Sequence, residues 1–536
     1  MDREQFRKAG YQAIDWCVDH LEAPLWVCDY FEKLETLDVM SNVQPGDVGK
    51  QIPDTAPVEG EAWQDITGDF DKIILPGLTH WQHPSFFAYF PANTTFESII
   101  ADIMVGGVSN PGFNWLCSPA CTELEVRMTD WCATLFGLDK SFHNSSKEGG
   151  GITQGSASEV CLTVCIAARE RAMRLQPNTK HEDLVIVATT QTHSLGAKAA
   201  LLLGIQFLPI PTTQENNWAI RGAELKNALD ALKSEGKVPF IFCKQLPPAF
   251  QVQITRINLD ISLRLWLSVA TVGSTSTGAV DNISEITAVT ADYPELFLHV
   301  DAAWGGVYLA IPELRAECHL EALNRRSTRA NLAKDICRSG EVHSFCTNLH
   351  KSGLVTLDAS LLFIRDRRLL TEALDITPPF LRNAESDSGL VVDYRNWQIA
   401  LGRRFRSLKV WFVLRSYGQK MFQEHLRKGI ALAQRLENLV LEQGGNSFEL
   451  FVPRRFALVV IRVLEPNGGD EEALNKAFFA RIAKRKDIHL TPTIVGGKSC
   501  TRVAIGGTQS KEQHIDHLWN VIREVSNETR QALLQC

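Results

Sequence analysis

Short apolar runs alternate with amphipathic stretches through the middle of the chain. The runs are four to six residues long and rich in aliphatic side chains, whereas the segments between them have the spacing of helices. Strands that are buried on both faces and separated by helices are typical of a mostly parallel sheet. The predicted strands are Leu184–Ala188, Gln206–Pro209, Pro239–Cys243, Leu267–Thr271, Leu296–Val300 and Ala359–Ile364. The pattern therefore predicts an α/β fold with helices on both faces of the sheet.

The pattern changes on both sides of this region. Residues up to about Asp139 have mostly helical spacing, interrupted by a connector rich in Pro, Gly and Glu at residues 44–61. Beyond Gln398 the sequence predicts a long amphipathic helix that reaches about Glu442. Two strands and two helices follow, predicted at Phe456–Leu464, Glu471–Lys484, Arg502–Ile505 and Gln513–Leu534. This arrangement predicts a smaller α+β lobe.

Composition narrows the class of protein. The 536 residues are 45% hydrophobic and 22% charged, with a net charge of −7 and a pI near 6.1. An acidic chain without a long apolar run gives no reason to expect nucleic acid or a membrane as partner. Thirteen scattered cysteines and a start without a secretory apolar region favour reduced thiols in the cytoplasm. No Cys-x-x-Cys pair occurs, so we expect no metal site.

Polar residues follow several predicted strands. His193 comes after the first run, Ser274 and Thr275 follow Leu267–Thr271, and Asp301 ends the run Leu296–Val300. Ligands of parallel α/β sheets bind at the carboxyl ends of the strands. One such residue could be a helix cap, but several together favour a binding site.

The segment Gly149–Glu159 joins glycines to small hydroxyl residues at the start of a predicted helix. Free backbone N–H groups, the helix dipole and hydroxyl donors together form an anion-binding cradle. The alternative is a simple N-cap, since Ser is favoured at that position. Neither nucleotide-binding glycine motif matches, which weakens a nucleotide interpretation.

Lys351 lies among small and apolar residues in the segment Ser344–Gly353. A desolvated lysine has a lowered pKa, so its amine can act as a nucleophile of the Schiff-base type. Taken alone, His350-Lys351 could equally be part of a surface loop.

Two further segments each allow a structural and a functional interpretation. His80–Pro91 is dense in aromatic residues, which suits core or interface packing and equally suits an apolar wall for a flat substrate. The basic cluster of Arg403, Arg404, Arg406 and Lys409 is short and lies in an acidic chain, so salt bridges within the fold are expected there.

Several motifs, in order and spacing, resemble the pyridoxal-phosphate group II decarboxylases, and specifically the aromatic-L-amino-acid decarboxylases. The resemblance extends from about Trp63 into the C-terminal lobe. Its motifs are Ser118–Glu125, Gly149–Glu159, His299–Trp304, Asn348-x-His350-Lys351, Asp393–Gln398 and Leu401–Lys409.

The resemblance implies a fold-type I dimer with its active site at the interface. The sheet would be of the seven-stranded, mostly parallel type. The domains would be a dimer-embracing helical segment at 1–110, a large cofactor-binding α/β domain at 111–398 and a small α+β domain at 399–536.

The same resemblance implies a role for each matched residue. Lys351 would form the Schiff base, Asp301 would pair with the pyridinium nitrogen, and His193 would stack on the ring. The residues implied to bind pyridoxal 5'-phosphate are Ser156, Ala157, Ser158, His193, Thr275, Asp301, Ala303, Asn348, His350 and Lys351. Those implied to line the substrate pocket are Trp81, Tyr89, Phe90, Pro91, Ala92, Gly402 and, from the partner subunit, Phe113.

Departures from the family pattern concern the product and the substrate. Phe380 stands where the family has a loop tyrosine that protonates the substrate carbon after CO2 leaves. Phenylalanine there resembles the aromatic aldehyde synthases, unless His193 with a water, or a shifted tyrosine such as Tyr394, supplies the proton. Ala92 replaces a threonine that can contact a ring hydroxyl, and Gly402 leaves room for a bulky ring.

The sequence therefore predicts an enzyme that decarboxylates an aromatic L-amino acid to its amine. The alternative is oxidative decarboxylation and deamination to the arylacetaldehyde. A third hypothesis, an inactive scaffold that binds the cofactor, is disfavoured because Lys351, Asp301, His193 and the cradle are all present.

Overall fold

The fold is described from a computed structural model. The structure describes residues 2–18, 34–234, 238–239, 267–293, 296–326, 340–466 and 468–535. Of the predicted strand Pro239–Cys243, residues 240–243 lie outside the described residues.

The larger of two sheets forms the centre of the molecule. Its strands are β1 (Gly150–Gln154), β2 (Leu184–Thr189), β3 (Gln206–Ile210), β4 (Val238–Pro239), β5 (Leu267–Thr271), β6 (Phe297–Asp301), β7 (Ser344–Asn348) and β8 (Ser360–Ile364). Seven strands follow one another in the order β1-β8-β7-β6-β5-β2-β3, and the short β4 pairs with the start of β2. Strands from β3 to β7 pair in parallel, whereas β8 is antiparallel to both β7 and β1. The predicted mostly parallel sheet is confirmed.

The described helices alternate with the strands along the chain, and several of them pack against the two sheets. In chain order they are α1 (Arg3–Val18), α2 (Trp63–Asp69), α3 (Phe96–Val108), α4 (Pro119–Leu135), α5 (Ala157–Leu175), α6 (Leu195–Leu203), α7 (Gly222–Ser234), α8 (Ile283–Thr290), α9 (Leu320–Asn324), α10 (Arg368–Leu374), α11 (Ala384–Asp387), α12 (Arg406–Gln443), α13 (Glu471–Ile482) and α14 (Glu512–Leu534). Within the described ranges, none of these helices has the length and apolar character needed to cross a bilayer.

A second, antiparallel sheet lies in the C-terminal part of the chain. It contains β9 (Phe448–Leu450), β10 (Leu458–Val463), β11 (Thr491–Val495) and β12 (Lys498–Ala504), in the order β11-β12-β10-β9. All six residues of β10 are buried, which agrees with the apolar run predicted there.

The aromatic segment 80–91 is attached to this second sheet by its backbone. The amide of Phe87 donates to the carbonyl of His489 at 3.0 Å, and the amide of Ala504 donates to the carbonyl of Phe87 at 2.9 Å. The hydroxyl of Ser510 also donates to the carbonyl of Pro84 at 2.8 Å. The C-terminal part of the chain therefore fixes the position of the aromatic residues.

The glycines at 149–151 have a packing role, so only the later part of the segment 149–159 remains a candidate anion cradle. Gly150 and Gly151 lie in β1. A Cβ on Gly150 would collide with the Asn144 side chain, and one on Gly151 would lie 2.7 Å from Cβ of Thr129. These contacts require a strand without side chains at the two positions. The candidate cradle is restricted to residues 155–158.

Candidate active site

Three predicted features meet at one edge of the central sheet. Gln154 at the end of β1 and Asn348 at the end of β7 both pair with Ser360 of the intervening strand β8. The cradle follows Gln154 and the lysine follows Asn348, so the two begin at the same end of the sheet. Asp301 ends the neighbouring strand β6, where its partner on β7 is Cys346.

Lys351 points toward an aromatic wall. Its Nζ lies 4.9 Å from the centroid of the Phe90 ring. Phe90 is stacked on Trp304 with 4.6 Å between centroids and 23° between planes. The backbone carbonyl of Lys351 accepts from the amide of Asn93 at 3.4 Å, which ties the lysine turn to the residues after the wall.

The electrostatic environment favours the neutral amine of Lys351. Burial lowers its pKa to about 8, because an ammonium ion loses solvation there. The charge of Arg502 acts in the same direction, whereas that of Asp301 opposes it. A lysine with a pKa near 8 has a substantial nucleophilic fraction close to neutral pH.

Asp301 is buried, and one of its carboxylate oxygens has donors from the protein. Oδ1 accepts from the amide of Ala303 at 3.0 Å and from the thiol of Cys346 at 3.6 Å. Ala303 in turn accepts at its carbonyl from the amide of Asn348 at 3.0 Å, which links the Asp301 turn to β7. Asp301 therefore offers a fixed carboxylate at the sheet edge, with Oδ2 available for a cationic ring nitrogen.

His350 and Asn348 are held by the backbone and side chains around them. Nδ1 of His350 accepts from the amide of Ala359 at 2.9 Å, and Oδ1 of Asn348 accepts from the hydroxyl of Ser360 at 2.6 Å. Burial, reinforced by the Lys351 charge, lowers the pKa of His350 to about 4. The imidazole is therefore neutral near pH 7, and with Nδ1 accepting, its proton is on Nε2.

The cradle residues lie at the N-terminus of α5. Ser156 caps this helix by accepting from the amide of Glu159 at 3.2 Å, and a Glu159 carboxylate oxygen accepts from the amide of Gly155 at 2.9 Å. The N-cap interpretation is thus confirmed. It does not exclude anion binding, because Ser158 is exposed in the first turn and the first amides of a helix have no acceptor within the helix.

His193 lies on the segment that joins β2 to α6, and its side chain is exposed. The preceding Thr192 hydroxyl is 3.0 Å from that of Thr189 and 3.2 Å from that of Thr271. Thr271 is the partner of Asp301 across β5 and β6. This hydroxyl chain holds the His193 turn at the same sheet edge as Asp301.

Arg502 of β12 belongs to the site, although nothing in its local sequence indicates this. It is buried, and it donates to the carbonyls of Tyr89 and Thr275 while its guanidinium carbon lies 4.6 Å from the Phe90 centroid. Only the tertiary fold brings this strand of the second sheet against Phe90. Arg502 thereby connects the predicted wall residue Tyr89 with the predicted cofactor residue Thr275.

The remaining wall residues form an extension of this surface. Trp81 stacks on Tyr89 with 5.4 Å between centroids, and both rings are partly exposed. Pro91 packs under Gly506, and the carbonyl of Ala92 accepts from the Gln82 amide. Phe86 and Phe87 are buried, which confirms the packing role, whereas Trp81 and Tyr89 are exposed and Phe90 lies beside Lys351, so the role of these three as a substrate wall stays a prediction.

Among the described residues, no hydrogen bond, ion pair or ring contact joins Lys351 to the predicted site residues Phe113, Gly402 and Phe380. The segments that contain Phe113 and Gly402 are joined to each other, since the amide of Arg403 donates to the carbonyl of Pro111 at 2.7 Å. A Cβ on Gly402 would meet no atom within 4 Å. Phe380 is 82% exposed in a short turn at Pro379–Leu381.

The basic cluster has the structural role expected of it. Arg403 pairs with Glu125 at 2.6 Å with both side chains buried, and Arg406 pairs with Asp358 at 2.7 Å. Lys409 and Arg404 both reach Asp102 of α3, at 3.2 and 3.3 Å. The salt bridges connect α12 and the segment before it to α3, α4 and the loop before β8.

The arrangement fits pyridoxal phosphate, which carries an aldehyde, a basic ring nitrogen and a phosphate. Lys351 supplies an amine of lowered pKa, Asp301 a carboxylate oxygen for the ring nitrogen, and the α5 terminus a cradle for the phosphate. Among the described residues, Nε of Arg502 is buried without a hydrogen-bond partner, and the positive charge of this guanidinium lowers the pKa of Lys351.

Comparison with known proteins agrees with this arrangement. The sequence matches the pyridoxal-dependent decarboxylase conserved domain over residues 45–248 and 264–464. It is 34% identical to aromatic-L-amino-acid decarboxylase of Rattus norvegicus, with 99% of both chains covered. It is 35% identical to phenylacetaldehyde synthase of Arabidopsis thaliana, with 98% of this chain and 96% of that protein covered.

A solved structure gives the same result for the fold. The crystal structure of Oryza sativa TDC with PLP and tryptamine superposes with a TM-score of 0.85 at 31% identity, covering 98% of this chain and 99% of that chain.

Proposed function

The chain belongs to the pyridoxal-dependent decarboxylase family, and from this premise we propose that it removes CO2 from an aromatic L-amino acid to release the arylalkylamine. The substrate class comprises phenylalanine, tyrosine, tryptophan and dopa. The observation that carries the proposal is the Phe90–Trp304 stack beside the nucleophilic Lys351. A flat aromatic side chain is the group that such a wall recognises best.

Each residue of the site would have the role in cofactor or substrate binding that its contacts indicate. Pyridoxal phosphate, when bound, accepts the electron pair that the broken bond to CO2 leaves behind. Lys351 would hold the cofactor through its amine, Asp301 would keep the ring nitrogen protonated, and Ser156, Ala157 and Ser158 would bind the phosphate. His193 would cover the ring. Phe90 and its neighbours would exclude water and orient the substrate so that the carboxylate bond is the one that breaks.

The partner in this proposal is a second copy of the chain. Phe113 and Gly402, both expected in the substrate pocket, have no described contact with the Lys351 group of the same chain. Helix α3 also presents an apolar stripe on one face, formed by the exposed side chains of Phe96, Ile100, Ile103, Met104 and Val108. A homodimer that buries this stripe would bring Phe113 and Gly402 of one subunit to the site of the other.

We also propose a cytoplasmic location. The described cysteines are all free thiols, and most are buried. Reduced thiols are the normal state of cysteine in that compartment.

A second candidate function is favoured by one residue. Phe380 has no proton to give to the substrate carbon once CO2 has left. Tyr394, one of the two alternative donors, is enclosed in the core, where its hydroxyl donates to the carbonyl of Gly151 at 3.1 Å and its ring lies beneath the Arg403 guanidinium. Reaction of the unprotonated carbon with O2 and water would give the arylacetaldehyde, ammonia and H2O2 together with CO2.

One assay decides between the two products. CO2, amine, aldehyde, O2 uptake and H2O2 are measured for the wild type, Phe380→Tyr and Phe380→Leu, the last as a control without a hydroxyl. The proposal expects amine equal to CO2 and no peroxide from the wild type. Peroxide formed in step with CO2 by the wild type and Phe380→Leu, and lost in Phe380→Tyr, would establish the aldehyde synthase instead.

A further inference from the structure

Cys346 lies directly beside Asp301 in the central sheet. The two residues are paired across the parallel strands β6 and β7, and Cys346 Sγ is 3.6 Å from Asp301 Oδ1. Both side chains are buried, with 1% and 3% of their surface exposed. Backbone bonds fix the pair, since the amide of Ala302 donates to the carbonyl of Cys346 at 3.0 Å. The short contact is thus built into the register of the sheet.

We propose that Cys346 is a positioning residue for cofactor binding, because its thiol donates a hydrogen bond to Oδ1 of Asp301. Together with the amide of Ala303, the thiol saturates the inner oxygen and fixes the rotation of the carboxylate. Oδ2 is then directed to the ring nitrogen of pyridoxal phosphate. The inference concerns the cofactor of the family and is independent of which amino acid is decarboxylated.

The direction of the hydrogen bond follows from the surroundings of the thiol. Burial raises the pKa of Cys346 well above its usual range, and the negative charge of Asp301 raises it further. The sulfur therefore keeps its proton throughout the neutral range. A protonated thiol beside a carboxylate has one favourable arrangement, in which S–H donates and the carboxylate accepts.

The strength of the hydrogen bond from Cys346 to Asp301 determines how much affinity for pyridoxal phosphate is lost without it. A thiol is a weak donor, so its loss corresponds to a net hydrogen bond at the lower end of the usual range. We expect Cys346→Ala to weaken binding of pyridoxal phosphate about two- to threefold. Cys346→Ser replaces the thiol by a stronger donor of similar shape and is expected to bind as well as the wild type.

The test separates a hydrogen bond from simple packing. Cys346→Val fills the space without a donor, and Cys132→Ala removes a different buried thiol on α4. For the full-length apoprotein of each variant, the dissociation constant of pyridoxal phosphate is measured by quenching of tryptophan fluorescence, without substrate. Urea unfolding of the same apoproteins reports on packing.

The proposal expects weaker cofactor binding in Cys346→Ala and Cys346→Val, with wild-type binding in Cys346→Ser and Cys132→Ala. If the loss in cofactor affinity parallels the loss in the free energy of unfolding in urea across all four variants, the proposal is overturned. Equal weakening in Cys346→Ser and Cys346→Ala, or unchanged affinity in all variants, would overturn it as well.

Discussion

The ammonium nitrogen of Lys351 lies 4.9 Å from the centre of the Phe90 ring. The same ring is stacked on Trp304 and contacted by the guanidinium of Arg502. Phe90 comes from the N-terminal part of the chain, Lys351 from the central sheet and Arg502 from the C-terminal sheet. Three distant segments thus determine the surroundings of one nucleophilic amine.

The lowered pKa of Lys351 predicts how cofactor capture depends on pH. The reactive amine is the neutral form, so covalent capture of pyridoxal phosphate by the apoprotein should rise with pH around a midpoint near 8. The measurement is the rate of appearance of visible cofactor absorbance. Lys351→Ala should give no such band, and a wild-type protein without the band after incubation would contradict the assignment of Lys351.

Arg502 should influence this midpoint. Removing its charge in Arg502→Gln removes a repulsion that lowers the pKa of Lys351, so the midpoint should move to higher pH. Arg435→Gln, which breaks an ion pair with Asp516 on the helices α12 and α14, is the control and should leave the midpoint unchanged. A downward shift in Arg502→Gln would contradict the electrostatic explanation.

The lowered pKa of Lys351 also has a consequence for the stability of the apoprotein. The pKa of Lys351 is lowered on folding from its ordinary value of 10.5 to about 8, so between these values the unfolded chain binds more protons. The apoprotein should therefore gain stability from this residue as pH rises from about 8 to 10.5. The gain should be absent in Lys351→Met. Urea unfolding of both proteins at pH 8 and pH 10 measures the difference.

The buried pair Arg403–Glu125 should be essential for stability. Glu125 accepts from Arg403 at 2.6 Å and from the amide of Thr153 at 2.7 Å, so it joins α4, β1 and the segment before α12. Glu125→Gln would leave Arg403 buried without its carboxylate and should cost about 3–5 kcal/mol in urea unfolding. Glu123→Gln on the exposed side of the same helix is the control. Equal losses in both variants would show that the pair has no special role.

The apolar pattern of the sequence was sufficient to predict most of the sheet. Leu267–Thr271 is a strand with the predicted bounds, and the predicted run Leu184–Ala188 is one residue shorter than β2. The long α12 and the closing helix α14 also lie where their amphipathic spacing places them. In these elements burial on a regular face determines the residue types, so the periodicity is visible locally.

Two strands of the central sheet were not predicted because their residues are small or polar. Strand β1 (Gly150–Gln154) needs glycines to fit against α4, and β7 (Ser344–Asn348) carries side chains that serve the site. Their backbone conformation is imposed by neighbouring strands. The roles of Cys346 and Arg502 were missed for a related reason, since each depends on a partner distant in sequence, Asp301 and Phe90.

The α3 stripe predicts where dimerisation can be disrupted. Ile103 is exposed at the middle of the stripe, so Ile103→Glu should place charges in the proposed interface and yield monomers in sedimentation velocity. Leu201→Glu changes a leucine that is 80% exposed on α6 and should leave the assembly intact. Because Phe113 and Gly402 would be lost from the site, the Ile103 monomer should also be inactive. A fully active monomer would contradict a shared active site.

Ala92 should limit recognition of ring hydroxyls. It follows Phe90 and Pro91 along the wall, where its backbone is held by Gln82 and its methyl group offers no hydrogen-bonding atom. Ala92→Thr would add a hydroxyl at this position, and one net hydrogen bond corresponds to about a fivefold gain in kcat/KM for dopa relative to phenylalanine. Ala92→Val has the same branched shape without the hydroxyl and should not alter the ratio. If Val and Thr change the ratio equally, shape rather than hydrogen bonding controls selectivity at this position, and the side chain of residue 92 does not contact the ring hydroxyls.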